Sequence, residues 1–256
     1  MLRSVVILVL GVAITGWMSA CAVIFSLISP GENKIHRLAR LWAKMLLMLS
    51  NTRVTVMGAE NVLIGKPQIF MSNHQSDFAI LIVLGFIPGQ FRWIAKKELF
   101  KIPVFRTAMR NAGYIEIDRQ QHEKAMKSLD VAARKVREGK SVMTFPEGTR
   151  SKDGKIKPFK QGMFHLAIQA GVPIVPITIV GAGNIMPKRS LRIHPGKVTL
   201  IIDKPIDVSG YTVENRSALI QRVTDVIAGN YDRAQTGPAA NRPVAATLAP
   251  VMPGEA

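Results

Sequence analysis

The stretch Pro67–Ile80, PQIFMSNHQSDFAI, decides how the chain is read. Ile69, Phe70 and Met71 form a short apolar run, as expected of a strand buried on both faces. Asn73, Ser76 and Asp77 then precede a second apolar run, which is how a helix begins. Strand, polar loop and helix in immediate succession make an α/β unit. The loop holds His74 with a carboxylate, Asp77, three positions on. Two readings follow: a histidine base with an orienting partner, or merely the polar start of a helix.

Outward from this unit the same alternation recurs. RVTVMG, FRWIA, GYIEID, KSVMTF, PIVPITIV and KVTLIID read as further strands. QHEKAMKSLDVAARKVREGK places Met126, Leu129, Ala133 and Val136 on one helical face and stops at Gly139. The fold class expected is α/β: a single mixed-sheet domain flanked by helices, spanning residues 51–233. Residues 234–256 are rich in Ala and Pro without periodicity and are expected to be a disordered tail.

The first 50 residues differ in kind. Ser4 to Ser29 are 26 residues without a charge, and a helix of that length, at about 1.5 Å per residue, exceeds the roughly 30 Å hydrocarbon core of a bilayer. Gly11, Gly16 and Pro30 leave open whether it spans or only dips. NKIHRLARLWAKMLLML follows, with Ile35, Leu38, Leu41, Trp42, Met45 and Leu49 at helical spacing and Lys34, Arg37, Arg40 and Lys44 opposite, as in an interfacial amphipathic helix. Residues 1–50 are therefore expected to be membrane-anchoring helices. Four of their five basic residues follow the apolar run, which by the positive-inside rule puts the domain on the cytoplasmic face of the inner membrane. A cleavable signal peptide competes with this reading, because MSAC (Met18–Cys21) resembles a processing site. The apolar run nevertheless continues past it.

The balance of 34 basic and 17 acidic residues, net +17, calls for an anionic partner. Only 6% of residues are aromatic, which together with the apolar anchor argues against nucleic acid, since single-strand readers need stacking platforms. Residues 134–160 hold nine basic and three acidic side chains, suited to an anionic membrane surface and anionic substrates. The one cysteine, Cys21, lies in the apolar run, a poor place for a nucleophile.

Ligands of open α/β sheets bind beyond the carboxyl ends of strands. Three strands here end in reactive text: one at His74, one at Asp118 and Arg119, and one in PEGTR, Pro146–Arg150. Taken singly, each has a plain structural alternative: a helix start, a surface ion pair, a turn. Five residues separate Gly148 from Gly154, where a phosphate loop of the Walker type needs four. GAGNIM lacks the third glycine of a dinucleotide fingerprint, no G-x-S-x-G elbow occurs, and the five histidines are too scattered for a metal site.

NHQS, GYIEIDR, FPEGTRS and VPIVPI, in that order, resemble the four sequence blocks of the glycerolipid acyltransferases, specifically the 1-acylglycerol-3-phosphate (lysophosphatidate) acyltransferases. The resemblance covers about Val54 to Asp207. It implies transfer of an acyl group from a thioester on coenzyme A or acyl carrier protein to the sn-2 hydroxyl of lysophosphatidic acid, giving phosphatidic acid, without cofactor or metal. It implies His74 as general base and Asn73, Asp118, Arg119, Glu147, Gly148, Thr149 and Arg150 as substrate-binding residues, the arginines on the phosphate. Val172–Ile177 is expected either as a wall of the acyl-donor site or as a plain buried strand.

One departure from the family pattern concerns the base. The family carries His-x4-Asp, and the position five after His74 is Ala79. Asp77 lies about 200° from Ala79 around a helix and is expected to cap it rather than to orient the imidazole. Impaired activity is the consequence expected, with a non-catalytic anionic-lipid-binding protein, or transfer to another lysophospholipid, as the alternatives. Arg106, where the family commonly has glycine, either crowds the site or adds a phosphate contact.

Overall fold

The computed structural model describes residues 1–118, 122–151 and 154–236. Within these the apolar runs pair as β1 (Thr52–Met57), β2 (Ile69–Ser72), β3 (Phe91–Lys96), β4 (Ile115–Ile117), β5 (Ser141–Thr144), β6 (Ile174–Val180) and β7 (Gly196–Ile202). They form one sheet in the order β1-β7-β6-β2-β5-β3-β4. Every neighbouring pair is parallel except β6 and β7, so the sheet is mixed, as expected. The helices are α1 (Leu2–Ile28), α2 (Glu32–Leu49), α3 (Phe78–Phe86), α4 (Phe105–Asn111), α5 (His122–Arg137), α6 (Gly162–Ala170), α7 (Ala182–Ile185) and α8 (Arg216–Thr236). α8 carries helix to residue 236, inside the segment expected as tail; residues 237–256 lie outside the described residues.

Strand periodicity divides the core in two. Phe70, Met143 and Val175 face α3 and α2 on one side. Their neighbours Ile69, Met71, Val142 and Ile174 face α5, α6 and α8 on the other. Because successive side chains of a strand point to opposite faces, central strands flanked by helices on both sides read as near-continuous apolar runs rather than alternating ones. Val172–Ile177 is accordingly sheet interior, with Ile174, Val175 and Ile177 wholly buried.

α1 is clasped by the domain along its length. At its start Arg3 donates to the carbonyls of Ile193 (3.0 Å) and Ser50 (2.8 Å). In its middle Thr15 Oγ1 accepts from Trp42 Nε1 (3.0 Å). Near its end Ser26 Oγ accepts from Asn111 Nδ2 of α4 (2.6 Å). Its outer face, including Val5, Val9, Trp17, Ile24 and Ile28, stays exposed.

α2 buries Ile35, His36, Ala43 and Leu47, whereas Leu41, expected on its apolar face, is half exposed. The small side chains of Ala39 and Ala43 let α3 approach closely, so the inner stripe is set by fit rather than by size. Arg40 departs from the expected polar face. Its guanidinium donates to the carbonyls of Ile87 (2.7 Å) and Gly89 (2.8 Å), satisfying groups left open where α3 ends. At the start of α2, Glu32 gathers Arg92 (3.1 Å), Lys135 (2.9 Å) and Lys140 (2.6 Å). Burial works to raise the Glu32 pKa, but the three cations outweigh it and hold it at about 2. Gly113, at φ +73°, leaves room for this carboxylate; a Cβ there would fall 2.2 Å from the Glu32 carboxyl carbon. The α1–α2 hairpin is thus pinned to the sheet at the edge where β3 begins.

Candidate functional site

β2 ends at Ser72, and the next two residues set the site. Asn73 is buried, and its side-chain amide continues the pairing of β2 with β6: Nδ2 donates to the Ile179 carbonyl (2.9 Å) and Oδ1 accepts from the Ile179 N–H (2.8 Å). This clamp sets where His74 leaves the sheet. The backbone N–H of His74 donates to Glu147 Oε1 at 2.6 Å, and its carbonyl accepts from the Ser151 N–H at 2.9 Å. The imidazole lies flat on Phe145, with ring centroids 4.0 Å apart and planes 9° apart. Phe145 packs in turn on Trp93. The ring remains partly exposed while Nδ1 is buried.

Glu147 is 3% exposed and ties together the two loops that follow β2 and β5. Besides His74 it accepts from the Lys157 N–H through Oε2 (3.2 Å). Burial pushes its pKa up to about 7, against the lowering effect of those two hydrogen bonds. A carboxyl group raised from 4.5 to about 7 on folding adds stability that is fully present below pH 4.5 and is lost as pH rises through 7. Buried His36 acts oppositely: burial, with Arg92 and Arg40 nearby, lowers its pKa to about 3, so its contribution is lost as pH falls. The stability of the wild type minus that of Glu147→Gln is therefore expected to fall by roughly 2 kcal/mol between pH 4.5 and 7. Urea titrations of both proteins across that window check it. A flat difference would mean that Glu147 is ionised throughout.

The rest of PEGTR is held by lysines that the sequence reading did not single out. Gly148 sits at φ +73°, and a Cβ there would lie 2.9 Å from Lys160 Cε. Thr149 Oγ1 accepts from Lys157 Nζ (3.2 Å), and the Arg150 carbonyl accepts from Lys188 Nζ (2.6 Å). Only the basic run around KIKPFK hinted at this lining. The Arg150 guanidinium meets Asp77 Oδ2 at 2.5 Å. Asp77 occupies the position before α3, but its carboxylate makes no capping hydrogen bond there; the Ser76 hydroxyl accepts from the Phe78 N–H instead. The expected capping role of Asp77 is thus replaced by the pair with Arg150, a cation it reaches from the loop. Ala79 is wholly buried in the first turn of α3.

Asp118 follows β4 and pairs with Lys97 at 2.7 Å, a contact that raises the Lys97 pKa. Arg119, expected on the phosphate, lies outside the described residues. Arg106 is exposed on α4. The structure brings His74, Asp77, Glu147 and Arg150 together through contacts between two adjacent loops. These side chains combine an imidazole on a fixed backbone with a guanidinium and amines suited to an anion.

The acyltransferase family model matches residues 53–180, half of the chain, from β1 to the end of β6. The chain belongs to the acyltransferase family. The 1-acyl-sn-glycerol-3-phosphate acyltransferase of Limnanthes douglasii is 30% identical over 89% of this chain and 80% of its own. A chloroplastic 1-acyl-sn-glycerol-3-phosphate acyltransferase of Brassica napus is 40% identical over 67% of this chain, which spans about half of that relative's length. The crystal structure of the 1-acyl-sn-glycerophosphate acyltransferase PlsC from Thermotoga maritima superposes with a TM-score of 0.80 at 28% identity, over 92% of this chain and 95% of that one.

Proposed function

We propose that the protein transfers an acyl group from an acyl thioester, on coenzyme A or acyl carrier protein, to the sn-2 hydroxyl of 1-acylglycerol-3-phosphate, forming phosphatidic acid. The observation that carries this is the double clamp on His74, Glu147 on its N–H and Ser151 on its carbonyl, which fixes an imidazole beside the loop that holds Arg150.

In the proposed reaction His74 takes the proton of the hydroxyl as that oxygen attacks the thioester carbonyl carbon. The carbon–sulfur bond breaks, and the proton passes from the imidazolium to the leaving thiolate. Backbone or arginine donors would meet the charge on the carbonyl oxygen. Arg150, with Arg119 and the surrounding lysines, binds the acceptor's phosphate through the guanidinium N–H groups that Asp77, paired with Nη1, leaves open. Asn73 and Glu147 act as positioning residues, because their polar groups are engaged by Ile179, His74 and Lys157. Asp118 holds Lys97 toward the same edge.

α1, with a mean hydropathy of 2.2 over its most apolar 18 residues, is read as lying within one leaflet. Both of its ends are fastened to the domain, so crossing the bilayer would drag that domain into the hydrocarbon. The basic hairpin favours the cytoplasmic face of the membrane.

Purified full-length protein in detergent, given a radiolabelled acyl thioester, is expected to make phosphatidic acid from lysophosphatidate. The expected kcat/KM is about a hundredfold or more above that for monoacylglycerol, since charge-assisted contacts to the phosphate are worth about 1.5–3 kcal/mol each. Binding of lysophosphatidate without turnover would make the chain a lipid-binding module. Equal rates with and without the phosphate would refute its recognition.

A further inference from the structure

α1 and α2 enclose a groove of about 660 Å³ that the proposed reaction does not use. One wall is an i, i+4, i+7 stripe of α1, Cys21, Phe25 and Ile28; the other is a stripe of α2. That second stripe changes character along its length: Lys34 and Arg37 stand at the hairpin end, Leu38 and Leu41 further in. Phe25, Ile28 and Leu41 are exposed by 43%, 78% and 51%. Contiguous apolar surface of this kind marks a binding site rather than a solvated face. Its volume is that of an ordinary ligand site.

The charge at its end is unmatched. Glu32, the acidic residue of the hairpin, is taken up by Arg92, Lys135 and Lys140 on the inner side. Lys34 Nζ donates to Ser29 Oγ, and among the described residues neither Lys34 nor Arg37 meets a carboxylate at ion-pair distance. An apolar trough ending in two cations complements an acyl chain ending in a negatively charged headgroup. It complements a second copy of this chain poorly, since the same cations would face each other.

We infer that the groove holds one anionic phospholipid of the bilayer, its phosphate on Lys34 and Arg37 and an acyl chain along Cys21, Phe25 and Leu41. The site is separate from the acceptor site. The hairpin is pinned where β3 begins, whereas His74 follows the last residue of β2, and these strands run parallel through β5. A lipid seated there fills the seam between α1 and α2 and couples the hairpin to anionic membrane.

The inference rests on the reading of α1 and α2 as membrane-facing, and the test separates the two. Full-length protein is floated with vesicles of equal phosphatidylglycerol and phosphatidylcholine, then released into mild detergent, and its retained lipid is identified by native mass spectrometry. Expected is one retained phosphatidylglycerol, enriched roughly tenfold over phosphatidylcholine, as two cations at a surface provide. Lys34→Gln with Arg37→Gln should abolish the enrichment with acyl transfer unchanged, and Cys21→Trp, which narrows the trough, should lower retention of either lipid. Retention at the vesicle ratio, retention of none, enrichment that survives the charge changes, or a lipid-free dimer would each overturn the inference while leaving the membrane reading intact. Failure to float would overturn both.

Discussion

Replacing His74 by alanine is expected to lower kcat for acyl transfer by about 10²–10⁴, the usual contribution of a positioned general base. KM for lysophosphatidate should stay within a few-fold. The split follows from which atoms do what. The clamps to Glu147 and Ser151 are made by the main chain of residue 74 and survive the substitution, so the loop carrying Arg150 keeps its place. The ring is lost, and with it the stack on Phe145, an aromatic contact worth about 1 kcal/mol. Thermal unfolding should therefore shift little while turnover collapses. Single-turnover rates and lysophosphatidate binding, measured on the same preparation, check both halves. A fall in kcat below tenfold would remove His74 from the chemistry. A large rise in KM with kcat intact would turn it into a binding residue.

The sheet could be read from the chain because each central strand is short, mostly apolar and closed by polar or turn residues. All seven expected strands are present, and α5 starts and stops within a few residues of its expected limits. Properties that depend on fit across the fold could not be read. Arg40 looked like a headgroup contact because helical spacing alone puts it opposite Leu38 and Leu41; only the end of α3, 45 residues on, supplies the carbonyls that turn it inward. Glu147 was legible as a member of PEGTR, but its grip on the His74 backbone depends on β2 and β5 being neighbours, which sequence order does not reveal. Asn73 likewise resembles a loop residue until β6 is placed beside it. The lysines at 157, 160 and 188 are scattered in sequence and meet only because three loops rise from one edge of the sheet.

Introducing the family's carboxylate, Ala79→Asp, is expected to raise kcat at least tenfold. The ceiling is about 10⁴, the cost of losing the orienting carboxylate in a serine protease. Asp77, the nearest carboxylate in sequence, is engaged by Arg150, while the Phe145 stack and the backbone clamps bear on imidazole orientation. Residue 79 lies in the first turn of α3, where the helix dipole favours an acidic group. It is also wholly buried among apolar side chains, where an ionised carboxylate is tolerated only if it finds a partner. Gain in kcat and retention of stability should therefore occur together, because the same contact with His74 would supply both. Ala79→Asn has nearly the same shape without the charge and should give little gain. Asp77→Ala separates the remaining possibility. With Asp77 confined to Arg150, its removal should leave kcat within a few-fold and lower KM for lysophosphatidate, because the guanidinium is freed for phosphate. If instead Asp77→Ala cuts kcat as deeply as His74→Ala does, and Ala79→Asp adds nothing to the wild type, then Asp77 leaves Arg150 when phosphate binds and orients His74 itself.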